Sequence, residues 1–85
     1  MKKIFNVQDV VVLSHNHRNK KQAGRIGFII EKYLHDEDAK EEDLEWRYDV
    51  QFAFDPNSEK DTAVFNQLQV GEEDIICIVP FTTNL

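Results

Sequence analysis

The sequence has little of what stabilises secreted or fibrous proteins. Its 85 residues include one cysteine, Cys77, two prolines and three glycines. A single cysteine cannot form a disulfide within the chain, which excludes the small secreted folds that disulfides hold together. So little proline and glycine also excludes a fibrous or low-complexity protein.

Long apolar runs and a complete targeting signal are missing as well. No run of apolar residues approaches the ~20 that a membrane-spanning helix needs. The first residues begin like a signal peptide, but Asp9 interrupts them and no small-residue cleavage site follows. We therefore expect a cytoplasmic protein that does not enter a membrane.

The chain also lacks a set of residues for catalysis. Ser14 and His15 are adjacent, so in an extended chain their side chains point in opposite directions and cannot pair as nucleophile and base. Cys77 lies in an apolar segment, which predicts a buried and unreactive thiol. Gly24 and Gly27 are not followed by the Lys-Ser/Thr pair of a phosphate-binding loop. We expect a protein that is not an enzyme and holds no cofactor.

Apolar and aromatic residues are present in ordinary amounts, at 41% and 11% of the chain. This composition is typical of a globular protein, and a chain of this length forms one small domain. No repeat, linker or change of composition divides the sequence. It predicts a single domain over residues 1–85.

Alternation of apolar and polar residues predicts β-strands. The clearest case is Arg47–Phe54, where Tyr48, Val50, Phe52 and Phe54 fall on one face. Four more strands are predicted, at Asp9–Leu13, Arg25–Tyr33, Thr62–Val70 and Ile75–Val79.

Gly27 lies inside the second predicted strand, where glycine marks a bulge, a bend or a close approach of backbones. We expect the third strand to pack on alternate residues of the first two, namely Val11, Leu13 and Ile29. Tight turns are predicted at Asp55–Ser58 and at Gly71–Asp74, the latter as a single 3₁₀ turn.

Two polar segments separate the strands. Ser14–Gln22 forms a long polar loop after the first strand, and His35–Glu45 forms an acidic loop, with at most one helical turn, between the second and third. The prediction is an all-β fold, a five-stranded barrel whose closure removes exposed strand edges. The alternation does not place three aromatic residues, which are expected to cover the ends of the barrel or, if two or three are exposed together, to form the hydrophobic centre of a protein interface: Tyr33, Trp46 and Phe65.

Three short motifs resemble the SH3-like small β-barrels of the KOW/Tudor-like type. They are Asp9–Leu13, the Gly24–Ile29 segment with its two glycines, and Tyr48–Phe52 followed later by Glu73-Asp74-Ile75. Similar layouts occur in the E subunit of photosystem I, the variable chain of ferredoxin–thioredoxin reductase and the β subunit of nitrile hydratase. The resemblance implies a non-catalytic part of a complex that uses its loops and one barrel face. The chain departs from the KOW pattern at Ala23, where lysine is expected, and in its longer first loop.

Charge is distributed very unevenly along the chain. Residues 1–34 carry seven Lys and Arg side chains and two carboxylates, whereas residues 35–85 carry three Lys and Arg side chains and fourteen carboxylates. The first loop collects a candidate binding set for phosphates or an acidic surface: His15, His17, Arg18, Lys20, Lys21 and Arg25. A secondary acidic patch is predicted from Asp36, Glu37, Asp38, Glu41, Glu42 and Asp43.

Neither segment predicts a metal site. His15 and His17 fall short of the three or four ligands that zinc requires, and the acidic run lacks the EF-hand pattern. We expect a protein-interaction subunit or adaptor of a larger cytoplasmic assembly. Two alternatives stay open: a nucleic-acid-binding module that uses the basic loop 15–25, and an acidic inhibitor that mimics nucleic acid.

Overall fold

A computed structural model describes residues 4–34 and 45–79 of the chain. These residues form five strands: β1 (Val10–Leu13), β2 (Ile26–Leu34), β3 (Trp46–Phe52), β4 (Gln67–Gly71) and β5 (Ile75–Ile78). Two 3₁₀ turns, η1 (Val64–Asn66) and η2 (Glu72–Asp74), precede β4 and β5. The predicted all-β fold with five strands is confirmed. No helical segment in the described residues is long and apolar enough to cross a membrane.

The five strands form one antiparallel sheet in the order β4-β3-β2-β1-β5. Within residues 4–34 and 45–79, β4 and β5 do not pair, so the hydrogen-bonded ladder is not closed as the sequence prediction supposed. Only η2 joins these two edges. Because a flat sheet would place the edges ~19 Å apart and a three-residue 3₁₀ turn spans only ~8 Å, the sheet must curl strongly.

The concave side of the sheet holds the core. Tyr48, Val50 and Phe52 are buried there, as the alternation predicts, together with the expected partners from the first two strands, Val11, Leu13 and Ile29. Phe5 packs edge-on against Tyr48 with 5.6 Å between ring centroids. Its backbone N–H donates to the Tyr48 hydroxyl at 3.1 Å, so the buried hydroxyl has a partner. Burial raises the pKa of Tyr48 above its usual value.

Gly27 lies at a close approach of β3 to β2. A Cβ atom at this position would lie 2.6 Å from Val50 Cγ1 and 3.0 Å from both the Gln51 carbonyl oxygen and Phe52 Cδ1. The predicted close approach at this glycine is confirmed. Two core side chains of β3 occupy the space that a side chain on β2 would need.

The third and fourth strands differ from their predicted bounds. β3 ends at Phe52, so Phe54 lies outside it and is 38% exposed; the predicted extension of this strand to Phe54 is wrong. The first half of the predicted fourth strand is a turn, because Asn66 N–H donates to the Ala63 carbonyl and Asn66 Nδ2 donates to the Thr62 carbonyl. Such local bonds compete with a sheet ladder.

The three unplaced aromatics do not behave alike. Trp46 packs against the core, and Tyr33 is half-buried. Phe65 lies in η1 and is 70% exposed, so its expected role of covering a barrel end is wrong. The predicted acidic loop between the second and third strands lies almost entirely outside the described residues.

We predict that side chains of increasing size at Gly27 destabilise the protein stepwise. Strand propensity alone would favour Gly27→Val over Gly27→Ala, and both over glycine. Steric conflict with Val50 and the Gln51 carbonyl reverses this order, and overpacking of this kind costs about 1–3 kcal/mol. Urea denaturation of the three proteins measures the free energy of unfolding. A valine variant at least as stable as the wild type would show that no close approach exists.

Candidate functional site

The convex face of the sheet carries apolar side chains on β1, β2 and β5. In antiparallel pairs, directly opposite residues share a face, and Val10 lies opposite Phe28 while Val12 lies opposite both Ile26 and Cys77. Ile26 is 56% exposed and Phe28 is 46% exposed. We call these five residues the apolar face.

The same convex side is polar on β3 and β4. Its opposed pairs there are Asp49 with Gln69 and Gln51 with Gln67. The Gln67 side chain donates to Gln51 Oε1 at 2.8 Å, and Tyr33 donates to Asp49 Oδ1 at 3.2 Å. The solvent-exposed face of an antiparallel sheet is normally polar, as this half is. The apolar face departs from that rule.

A shallow groove of about 350 Å³ runs along one side of the apolar face. Val10, Ile26, Phe28 and Phe54 supply its apolar surface, and Gln51, Phe52, Gly27 and Ala53 complete the lining. The one amide in this lining is already bonded, because Gln51 Nε2 donates to the carbonyls of Phe52, Ala63 and Asn66. The groove therefore presents apolar atoms in a fixed arrangement.

The turn η1 lies beside this groove. Gln51, which lines the groove, donates to the carbonyls on either side of Val64 and Phe65. Val64 is 75% exposed and Phe65 is 70% exposed. These two side chains extend the apolar surface next to the groove.

Buried amides fix the long loop between β1 and β2. Gln22 is fully buried, and its Nε2 donates to Asn66 Oδ1 at 2.8 Å. Asn66 in turn donates to Asp61 Oδ1 at 2.7 Å. At the end of the loop, Gly24 adopts a φ of +78°, and a Cβ there would lie 2.6 Å from His15 Nδ1. The loop is thus held against residues 61–66 of the opposite segment.

The basic residues of this loop differ in their contacts. Lys21 pairs with Asp61 at 3.4 Å. Arg25 donates to Gln22 Oε1 at 2.9 Å and to the Ala53 carbonyl at 3.4 Å. Arg18 lines a second groove on the other side of the loop, and Lys20 is exposed. The cations therefore point toward different neighbours.

The second groove, of about 510 Å³, is polar and carries both signs of charge. His17 and Arg18 line it together with Arg47, Glu73 and Asp74. Arg47 already pairs with Glu73 at 3.4 Å and with Glu45 at 3.2 Å. The His17 ring accepts the Asn19 N–H at Nδ1. Because both charge signs are present, this groove does not select one kind of ligand.

The secondary acidic patch of Asp36, Glu37, Asp38, Glu41, Glu42 and Asp43 lies outside the described residues. In residues 4–34 and 45–79, no three His, Cys, Asp or Glu side chains come together as metal ligands would. Cys77 is exposed, so the predicted buried thiol is wrong. It lies on an edge strand, with its side chain on the convex face.

Comparisons with protein-family models, with curated proteins and with solved structures gave no match.

The apolar face was not identified among the candidate site residues, although the sequence contains a signal for it. Val10–Leu13 is apolar at every position, and Ile26–Ile30 is apolar except for Gly27. Strands that are apolar on both faces are typical of sheets covered on both sides. Basic residues and histidines, in contrast, are concentrated in the loop.

We predict that Asp61 stabilises the fold in a pH-dependent way. Hydrogen bonds from the Asp55 backbone and the Asn66 side chain, with Lys21 close by, hold the pKa of Asp61 below its usual value. A depressed carboxyl pKa contributes stability above the unfolded-state pKa, and this stability is lost as the pH falls through the folded-state pKa. Asp61→Asn should therefore lower the melting temperature at pH 7, with the difference shrinking in acid.

The matched control for this experiment is Glu59→Gln, which removes an exposed carboxylate two residues away. Its melting temperature should follow the wild type across the whole pH range. A constant difference between wild type and Asp61→Asn from pH 7 into acid would contradict the account of the Asp61 hydrogen bonds.

Proposed function

We propose that this protein is a non-catalytic interaction module that binds a partner protein through the apolar face. One observation carries the proposal: side chains from three strands make the convex side of the sheet apolar, whereas its β3–β4 half is polar. A contiguous exposed apolar patch on a small protein is typical of an interaction site. Its members lie on strands, so their positions are fixed before a partner binds.

The energetics suit a docking surface of moderate strength. Completing the burial of Ile26, Phe28 and Phe54, each about half-exposed, would contribute on the order of 1 kcal/mol per side chain. Rigid aromatic and aliphatic side chains at the centre of an interface contribute most of its binding energy. The groove gives a partner side chain a place to insert between them.

The finer fold assignment belongs to the same proposal. A long loop after the first strand, a glycine at a close approach in the second and a 3₁₀ turn before the last support the SH3-like type. Small barrels of this type act as non-catalytic parts of complexes, although a fold alone does not define a function. The exposed thiol of Cys77 supports a cytoplasmic assembly, because free thiols persist in reducing compartments.

The alternative of a nucleic-acid-binding module has less support from the loop geometry. Lys21 is paired with Asp61, and in the described part of the chain Arg18 and Lys20 are the exposed cations of this loop that have no carboxylate partner. The alternative of a nucleic-acid mimic depends mainly on carboxylates outside the described residues. The salt dependence of binding distinguishes both alternatives from apolar docking. Contacts that involve phosphates weaken steeply with ionic strength, whereas apolar contacts do not.

We predict that polar substitutions on the apolar face abolish partner capture and leave the fold intact. Ile26→Thr and Phe28→Thr, made together, place a β-branched residue with high strand propensity at both positions of β2 and remove most of the exposed apolar atoms. The matched control is Gln67→Thr and Gln69→Thr on the polar half. Each protein is immobilised, and bound proteins are recovered from nuclease-treated cytosol at low and high salt, with melting temperatures measured in parallel.

The wild type and the control pair should recover the same protein at both salt concentrations, and the Ile26→Thr, Phe28→Thr variant should recover none of it. Its melting temperature should stay close to that of the wild type because both side chains are exposed. Equal recovery by the two double variants would place binding elsewhere. Recovery that requires nucleic acid and disappears at high salt would favour the basic loop.

A further inference from the structure

We infer that Arg25 makes the apolar face selective for a partner segment that carries a carboxylate beside its apolar side chains. The inference rests on the proposed function and names the chemistry of the partner. It concerns the rim of the groove, where a guanidinium group lies against apolar surface.

Arg25 is located at the edge of the groove by its neighbours. It directly precedes Ile26, and its Nη2 lies 3.4 Å from the carbonyl oxygen of Ala53. Ile26 is the first residue of β2 and Ala53 directly follows β3, and both line the groove. The guanidinium therefore lies beside the apolar atoms that a partner would cover.

A hydrogen bond to a buried residue fixes the position of the guanidinium. Nη1 donates to Gln22 Oε1 at 2.9 Å, and Gln22 is a fully buried residue whose own Nε2 is bonded to Asn66. Because a buried amide holds this end of the side chain, less rotamer entropy is lost when a ligand binds. A guanidinium has five N–H donors, so most of them remain free for a ligand.

Arg25 lacks a carboxylate partner among the described residues, as Arg18, Lys20, Lys32 and Lys60 also do, whereas two other cations have one. Arg47 pairs with Glu45 and Glu73, and Lys21 pairs with Asp61. No described carboxylate lies within 4.0 Å of Arg25, although the chain has 16 Asp and Glu residues. Arginine recognises carboxylates through two parallel hydrogen bonds. The complementary partner group is therefore a carboxylate.

The same geometry disfavours a purely apolar partner. Covering Arg25 with apolar atoms would bury a charge that has no opposite charge beside it and leave its remaining N–H donors unpaired, which is costly. A segment with an Asp or Glu next to its apolar residues pairs with the guanidinium and fills the groove at once. The pairing gains strength because the surrounding surface is apolar and excludes water.

A displayed library of random peptides of about twelve residues tests this inference with the full chain as bait. Peptides that bind the wild type should combine apolar residues with Asp or Glu at a fixed spacing. Replacing that carboxylate by its amide in a synthesised peptide should weaken binding about tenfold, as loss of a charged hydrogen-bonded pair does. Selection on Arg25→Glu should enrich Lys or Arg at the same peptide position.

Three further variants make the outcome decisive. Lys20→Glu makes the same charge change on an exposed cation of the same loop and should select the same peptides as the wild type. Arg25→Lys keeps the positive charge but loses the planar guanidinium that forms two parallel hydrogen bonds with a carboxylate. Its affinity for the selected peptide should therefore lie between those of the wild type and Arg25→Glu. The pair Ile26→Thr, Phe28→Thr should bind none of the peptides. Melting temperatures verify that each variant is folded. If Arg25→Glu does not fold, the comparison of peptide binding uses Arg25→Lys in its place.

Each contrary outcome has a distinct meaning. Apolar peptides without a carboxylate preference, bound equally by the Arg25 variants, would overturn the inference and leave the proposed function standing. Peptides that bind the Ile26→Thr, Phe28→Thr variant as well as the wild type would overturn the proposed function. A wild-type dimer in sedimentation that the same pair of substitutions dissociates would identify a second copy as the occupant and overturn the inference.

Discussion

The close approach of β3 to β2 at Gly27 is the contact on which the rest of the architecture depends. Because this position has no side chain, Val50 and Phe52 occupy the space beneath β2. The sheet can then bend around its own core. That bend brings the edges β4 and β5 close enough for the short turn η2 to join them, although the two strands lie at opposite ends of the strand order.

A sheet curled in this way has a small concave side and a larger convex one. The concave side is filled by a few large residues, among them Tyr48, Phe52 and Leu13. The apolar residues of β1 and β2 that alternate with the core positions have no room inside and must face outward. Their outward position is therefore a consequence of strand register. Strand register does not explain why these outward residues are apolar, so their apolar character requires a functional explanation. The proposed docking of another protein provides it.

The fold could be predicted from the sequence much better than the site. The alternation of Tyr48, Val50 and Phe52 predicts the core face of the third strand, and Gly27 predicts the close approach between backbones. Phe54 was misplaced because strand length depends on where the chain leaves the sheet, and here Asp61 accepts a hydrogen bond from Asp55 in the following turn. Periodicity carries no information about such a tertiary bond.

The site was harder to predict for a different physical reason. The basic loop attracted attention because its charges are close in sequence, but side-chain partners distant in sequence determine where each charge points. Lys21 pairs with Asp61, and Arg25 donates to the carbonyl of Ala53. The apolar face, in contrast, is assembled from three strands, so its extent becomes visible only when the registers of β1 with β2 and β5 are known.

Site-specific photo-crosslinking inside cells tests the central claim most directly. Benzoylphenylalanine replaces Phe28 on the apolar face in one protein and Gln69 on the polar half of the same sheet in another. The account predicts one dominant protein adduct from position 28 and no corresponding adduct from position 69. The same adduct from both positions, or an adduct from position 69 alone, would contradict the assignment of the apolar face as the docking surface.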